Sequence, residues 1–143
     1  MSLAENVLLT RTESVSASGW IQSGKLQAQA QGIIARFKVK ASGPQAPARS
    51  LSGGNLQKFI VGREISAAPR LLIVSQPTWG VDVGAAAQIR AEILALRDVG
   101  CAVLVVSEEL DELFEIADRL HVIAKGRLSP SLPRAQANTE TIG

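Results

Sequence analysis

The sequence contains no tyrosine, one cysteine, one histidine and one methionine in 143 residues, and its aromatic content is 3%. Each scarcity excludes something. A single thiol, Cys101, leaves no intrachain disulfide to form, which fits a reducing compartment; it precedes an apolar run and is expected to be inert. The single imidazole, His121, has no second ligand nearby to build a metal centre, so a packing role is expected for it. So few rings leave no stacking platform for bases. Charge of one sign is scarce too: 15 basic and 13 acidic side chains give a net charge of +2, with the basic ones scattered. No nucleic-acid partner is expected. No apolar run approaches the ~18 residues needed to span a bilayer. The opening "MSLAENVLLTRTES" is too short and too acidic for a signal peptide.

What remains is a globular composition, 46% hydrophobic and 20% charged, long enough for one core. Patterning divides the chain. Residues 1–50 are mixed and rich in Ser, Ala and Gln; 51–128 are densely patterned; 129–143 form a polar tail. The join, "ASGPQAPARS" at 41–50, has the residues of a loop. Leu26, Ala30, Ile33, Ile34 and Phe37 recur at helical spacing and predict a helix over 24–37, with a shorter one at 3–9. Between them, "TESVSASGWIQSG" is polar and irregular.

The second part alternates. A helix follows Gly54, with Leu56, Phe59 and Ile60 on one face. "RLLIVS" at 70–75 and "CAVLVVS" at 101–107 are buried-strand runs. Between them Ile89, Ile93 and Leu96 mark a helix over 85–98, and Leu110, Leu113, Phe114 and Ala117 mark a short one afterwards. "RLHVIAKGRL" at 119–128 reads as a strand, a Lys-Gly turn and a return. This order predicts an α/β fold with a parallel sheet and helices on its faces.

Three stretches carry candidate chemistry. In "RSLSGGNLQKF", Ser52 stands at an N-cap position and Gly53 and Gly54 fall in the first turn. A helix start has unpaired N–H groups and partial positive charge, and bare glycines let an anion such as phosphate approach. An ordinary serine cap would show the same letters. In "LLIVSQPTWGVDVGA", a strand runs into Ser75 and Gln76, then a turn shaped by Pro77 and Gly80, then Asp82. The carboxyl ends of strands are where open α/β sheets bind ligands, so these residues stand where chemistry would be done. Asp82 as a plain helix cap is the other reading. In "LVVSEELDEL", the next strand ends at Ser107, Glu108 and Glu109, which also fits a serine cap with acids in the first turn.

Taken together, these residues resemble the ATP-binding subunits of ABC transporters over roughly residues 3–128. "LSGGNLQK" looks like the family's signature motif: Leu51, Ser52, Gly53 and Gly54, completed by Asn55, Gln57 and Lys58. "LLIVSQPT" looks like its Walker B strand, "GVD" its D-loop, and "VVSEEL" stands where the switch-histidine loop belongs. The phrasing is most like the second half of duplicated subunits serving simple-sugar and nucleoside importers. The resemblance implies a partial P-loop NTPase sheet of ABC type, with 1–50 as part of the helical subdomain that docks on the membrane-spanning partner.

The departures are chemical. No G-x-x-x-x-G-K-[ST] motif occurs; the near match Gly19 to Lys25 is followed by Leu26, which cannot hold magnesium, and no strand precedes it. By resemblance the chain begins after the phosphate-cradling loop. Ser75 stands where the family places an aspartate that helps hold Mg²⁺, Gln76 where it places the glutamate that polarises water, and Glu108 where it places the histidine. A glutamine orients water but is no carboxylate base, and a glutamate would repel a γ-phosphate.

The resemblance therefore implies a degenerate site beside an intact signature, supplied in trans to ATP and Mg²⁺ bound by the other nucleotide-binding half. Asp82, as the D-loop aspartate, would report between the halves; Trp79 is expected at that interface. A permease subunit, and indirectly a solute-binding protein, would be the further partners, with the subunit peripheral on the cytoplasmic face of the membrane. By itself the chain is expected to lack ATPase activity. In this fold the strand that carries Walker A sits beside the 102–106 strand, so without it unpaired edges and apolar faces should drive this chain to dimerise or swap elements. A soluble ABC-type ATPase and a nucleotide-independent interaction domain are the alternatives. An adjacent permease gene separates the first from an importer, and ATP calorimetry on the longer subunit separates the second.

Overall fold

A computed structural model of the chain describes residues 1–10, 16–17 and 20–138. The element order is α1 (Leu3–Leu8), β1 (Ser16–Ala17), β2 (Trp20–Ile21), α2 (Ser23–Arg36), α3 (Gly53–Ser66), β3 (Leu71–Ser75), α4 (Val83–Asp98), β4 (Ala102–Val106), α5 (Leu110–Ile116), β5 (Arg119–Leu120), β6 (Ile123–Ala124), β7 (Arg127–Leu128) and β8 (Leu132–Pro133). The helices predicted at 3–9, 24–37 and 85–98 are all present. The irregular stretch at 12–24 contains the short antiparallel pair β1–β2. Residues 12–15, 18 and 19 of that stretch, and 139–143 of the tail, lie outside the described residues.

Helix α1 starts with a reciprocal cap. The Glu5 amide donates to the Ser2 hydroxyl at 3.1 Å, and the Ser2 amide donates to the Glu5 carboxylate at 2.7 Å. The 41–50 loop is fastened to it, because Leu3 and Ala4 amides donate to the Ala46 and Pro44 carbonyls at 3.0 and 2.8 Å. Every residue of the predicted α2 stripe, Leu26 through Phe37, is buried, and they join Leu3, Val7, Phe59, Val61, Ile65, Ile89 and Ile93 in one core. Arg36 at the end of α2 pairs with Glu92 on α4.

Strands β3 and β4 pair in parallel, Leu71 with Ala102 through Ser75 with Val106, joined by the crossover helix α4. Both had the continuous apolar sequence of strands covered on two faces. Only one face is covered. Leu72 and Val74 are buried against the helices, whereas Leu71, Ile73, Leu104 and Val106 are 58%, 63%, 53% and 49% exposed. The reason is that α3 and α4 pack on one side, and no other layer lies on the second side among the described residues.

Three further expectations change. The 119–128 segment makes the expected Lys-Gly turn and return, β6 pairing antiparallel with β7 around Lys125 and Gly126, both at positive φ, but it does not extend the parallel sheet, since β5 pairs antiparallel with β8. Arg119, Lys125 and Arg127 bracket an apolar run of only a few residues, too short and too flanked by charge for an inner parallel strand buried on both faces. The segment read as a polar tail from 129 folds back at β8, where Arg134 donates to the Phe114 carbonyl at 2.7 Å and lies over the Phe114 ring. His121 is exposed rather than packed, its Nδ1 3.0 Å from the Ser129 carbonyl.

Candidate functional site at the strand ends and the tip of α3

The helix starting at Gly53 is uncapped by side chains. Ser52 holds the N-cap position with extended backbone, but its hydroxyl accepts from Asn55 Nδ2 at 2.9 Å and no backbone amide reaches it. Asn55 Oδ1 in turn accepts from the Lys40 amide at 2.8 Å. Ser52 and Gly53 are exposed, and a Cβ on Gly53 would meet nothing within 4 Å. The first turn is therefore uncapped by side chains and unobstructed at Gly53, as anion recognition requires.

Gly54 is different. A Cβ built there would overlap the carbonyl oxygen of Gly80, with the carbonyl carbon at 3.4 Å and Val81 Cα at 3.6 Å. Gly54 lets α3 seat directly on the turn after β3. Its glycine is thus accounted for by a contact within this chain. Three residues on, Gln57 Nε2 donates to the carbonyls of Gln76 and Pro77 at 3.0 and 3.2 Å. Lys58 is buried, its ammonium 3.3 Å from the Lys38 carbonyl and 3.8 Å from the Asp82 carboxylate. Of the apolar face assigned to this helix, Phe59 is buried, Leu56 is half-buried and Ile60 points outward.

The loop after β3 opens with Gln76 at φ 49°, a left-handed conformation that a non-glycine residue holds only where its surroundings impose it. Its amide donates to the Val106 carbonyl at 2.7 Å, the bond that continues the parallel ladder. Asp82 is the N-cap of α4, Oδ1 accepting from the Ala85 amide at 2.9 Å. That amide, assisted by Lys58 and opposed by desolvation, holds its carboxyl below the usual aspartate range. Trp79 is 74% exposed and outside the core.

At the ends of β3 and β4, Gln57, Ser75, Gln76, Trp79, Glu108 and Glu109 line an open cleft of about 450 Å³. The structure brings the Walker B-like and switch-like residues together there. Leu51–Asn55 stand apart at the helix tip. β3 brings to the cleft a hydroxyl and an amide at 75 and 76 in place of carboxylates. Among the described residues, no group of three or more His, Cys, Asp or Glu could hold a metal ion. These donors do not fit Mg²⁺ coordinated by this chain's own side chains.

One residue was missed in the sequence. Glu112 is buried to 5% exposure, and its two oxygens accept from Thr78 Oγ1 at 2.7 Å and Ser107 Oγ at 2.9 Å. The apolar spacing placed Leu110, Leu113, Phe114 and Ala117 inward; these are half-buried, and the buried side of α5 runs through Glu112 and Ile116. Ser107 is not the cap of α5, a position held by Glu109, whose amide donates to the Ser107 hydroxyl at 3.1 Å.

No family model matches the sequence. Among curated proteins, the chain is 38% identical over 141 residues to the ribose import ATP-binding protein RbsA of Halalkalibacterium halodurans, covering 99% of this chain and 28% of that protein. It is 44% identical over 130 residues to the nucleoside import ATP-binding protein NupA of Lactococcus lactis subsp. cremoris, covering 90% of this chain and 26% of that one. The guanosine import ATP-binding protein NupO of Bacillus subtilis is 38% identical over 143 residues, with 28% of it covered. The chain thus spans little more than a quarter of these relatives' length. In fold it is similar to a dimeric ATP-binding cassette in a post-hydrolysis state bound to ADP and Pi, with TM-score 0.74, 16% identity, and 94% of this chain and 57% of that one covered. A nucleotide-free cassette from an ABC transporter gives TM-score 0.65 at 23% identity, with 93% of this chain and 55% of that one covered.

Proposed function

Because the chain is related in sequence and in fold to the ATP-binding subunits of ABC transporters, we propose that it serves as a segment of the energy-coupling subunit of an importer for simple sugars or nucleosides. The tip of α3 is applied to ATP and Mg²⁺ held by the other nucleotide-binding half. The single observation behind this reading is a contrast. The amides at Gly53 are open and uncapped, while the cleft at the strand ends offers Ser75 and Gln76 where hydrolysis calls for carboxylates. A phosphate stabilised by preorganised backbone donors needs no acid from this segment. Asp82 beside that tip would sense the partner half; in the chain's own cleft Gln76 stands where a carboxylate base is needed, and the Glu108 carboxylate would repel a γ-phosphate.

The partners of this reading are the second nucleotide-binding half and a permease, with a solute-binding protein acting through the permease. No helix among the described residues is long and apolar enough to cross a membrane, and the proposed location is peripheral, on the cytoplasmic face. Taken by itself the chain is proposed to be inactive as an ATPase and to self-associate through the open face of β3 and β4.

The test uses Gly53, because Gly54 is committed to packing. Gly53→Glu places bulk and negative charge in empty space at the helix tip. In the longer subunit carrying both nucleotide-binding halves, ATP hydrolysis should fall by about a hundredfold, the scale of losing a transition-state donor, with the thermal midpoint of this chain unchanged. Hydrolysis at the unsubstituted rate would refute the reading.

A further inference from the structure

The buried carboxylate of Glu112 is used by nothing in the proposed chemistry, yet it stands between the two loops that form the cleft. One oxygen accepts from Thr78 in the loop after β3, the other from Ser107 at the end of β4. A carboxylate removed from water is retained only where donors replace its hydration, and here two hydroxyls do so. The Thr78 loop is gripped from the opposite side by α3: Gln57 holds the Gln76 and Pro77 carbonyls, and Gly54 seats the helix on the Gly80 carbonyl. Pro77, between the two grips, is fully buried.

The geometry points to Glu112 as a positioning residue that pins the α5 side of the cleft to the loop on which the tip of α3 rests. A change at Glu108 or Glu109 then reaches Gly53 through Ser107, Glu112, Thr78 and Gln57. Ser107–Glu112 and Glu112–Thr78 are hydrogen bonds, Thr78 is joined by its peptide bond to Pro77, and the Pro77 carbonyl accepts from Gln57, one helical turn from Gly53. This holds whether or not the tip meets a nucleotide, so its test stands apart from the test of the proposed function.

The test is amide hydrogen exchange on this chain, read at Gln76, Trp79, Val81 and Leu56, whose amides donate to Val106, Gln76, Thr78 and Ser52 carbonyls. Glu112→Leu keeps the volume and removes both acceptors. Exchange at the three loop amides and at Leu56 should accelerate about tenfold or more, while Ile89 and Ile93 in α4 keep their protection. Glu112→Gln should restore the slow rates, since its carbonyl accepts from Thr78 and its amide donates to Ser107. Thr78→Val removes the clasp from the other side with little change of shape, and guards against Glu112→Leu failing to fold. Combining it with Glu112→Leu should add nothing further. Acceleration confined to α5, or spread equally over the whole chain, would overturn the inference, as would unchanged rates.

Discussion

Two adjacent glycines should respond oppositely to the same substitution. Gly54 has negative φ, so conformational freedom does not explain it; space does. A methyl there overlaps the Gly80 carbonyl oxygen, and the atom that must yield is backbone, held by neighbours at 3.4 and 3.6 Å from the same Cβ position. Reaching ordinary contact separation requires the loop to withdraw by roughly an ångström. Overpacking of this kind costs about 2 kcal/mol. Gly53→Ala meets nothing and removes unfolded-state freedom, a gain of about 0.5 kcal/mol. For 143 residues the unfolding entropy is roughly 0.3 kcal/mol/K. Gly54→Ala should then melt about 7 °C below the unsubstituted chain, and Gly53→Ala at or slightly above it. Urea unfolding should show the same order in midpoint at equal slope. If the two variants proved equally stable, the seating of α3 on Gly80 would not be what holds the tip in place.

The remaining predictions concern the same corner of the molecule and the open face. Lys58→Met keeps the apolar stem but strips the Lys38 carbonyl of its buried donor, lowering stability by about 1–2 kcal/mol in urea unfolding; no change would show the ammonium to be idle. Asp82 favours its ion in the folded chain, since the hydrogen bond from the Ala85 amide stabilises the carboxylate and lowers its pKa. Its contribution is complete above about pH 4 and is lost as pH falls through its own, lower value. An NMR titration placing Asp82 at or above the ordinary aspartate range would contradict this. The unsubstituted chain should sediment as more than a monomer, and Ile73→Lys with Leu104→Glu should make it monomeric; a monomer at high concentration before any substitution rules out self-association through that face.

Local signals were legible wherever they were repeated. The α2 stripe is written five times over, at Leu26, Ala30, Ile33, Ile34 and Phe37, and all five are buried. The ends of β3 and β4 follow from apolar runs stopping at polar residues, which also located Ser75, Gln76 and Glu108 around one cleft. Continuous apolar strands were less informative. "LLIVS" records that both faces suit burial, not that both are covered, and in this chain Leu71 and Ile73 meet no second layer among the described residues. The 119–128 segment was legible in part: its Lys-Gly turn and return are the β6–β7 hairpin, but a strand as short as β5 takes its partner from chain geometry, so β8, twelve residues beyond β5 at the Leu120–Leu132 pair, was invisible to periodicity.

Glu112 shows where sequence reading stops. Its letters sit in an acidic stretch, "SEELDEL", in which any carboxylate suits a solvated first turn favoured by the helix dipole. What distinguishes it from Asp111 and Glu109, both exposed, is a pair of hydroxyls from two other elements. Thr78 is 34 residues away along the chain. That distance is closed only by the parallel pairing of β3 with β4, which brings residue 75 beside 106 and therefore the loops beyond them into reach. Gln57 meets its partners at 76 and 77 in another way, because α3 packs along β3 across the helix–strand connection. A glycine at 54 and a glutamine at 57 look like one phosphate-binding motif when read in line. In three dimensions Gly53 alone of the two glycines meets open space, while Gly54 and Gln57 hold the loop after β3 against α3. The motif's letters therefore divide between an open tip and the packing that aims it, and the division is fixed by a contact that no spacing rule encodes.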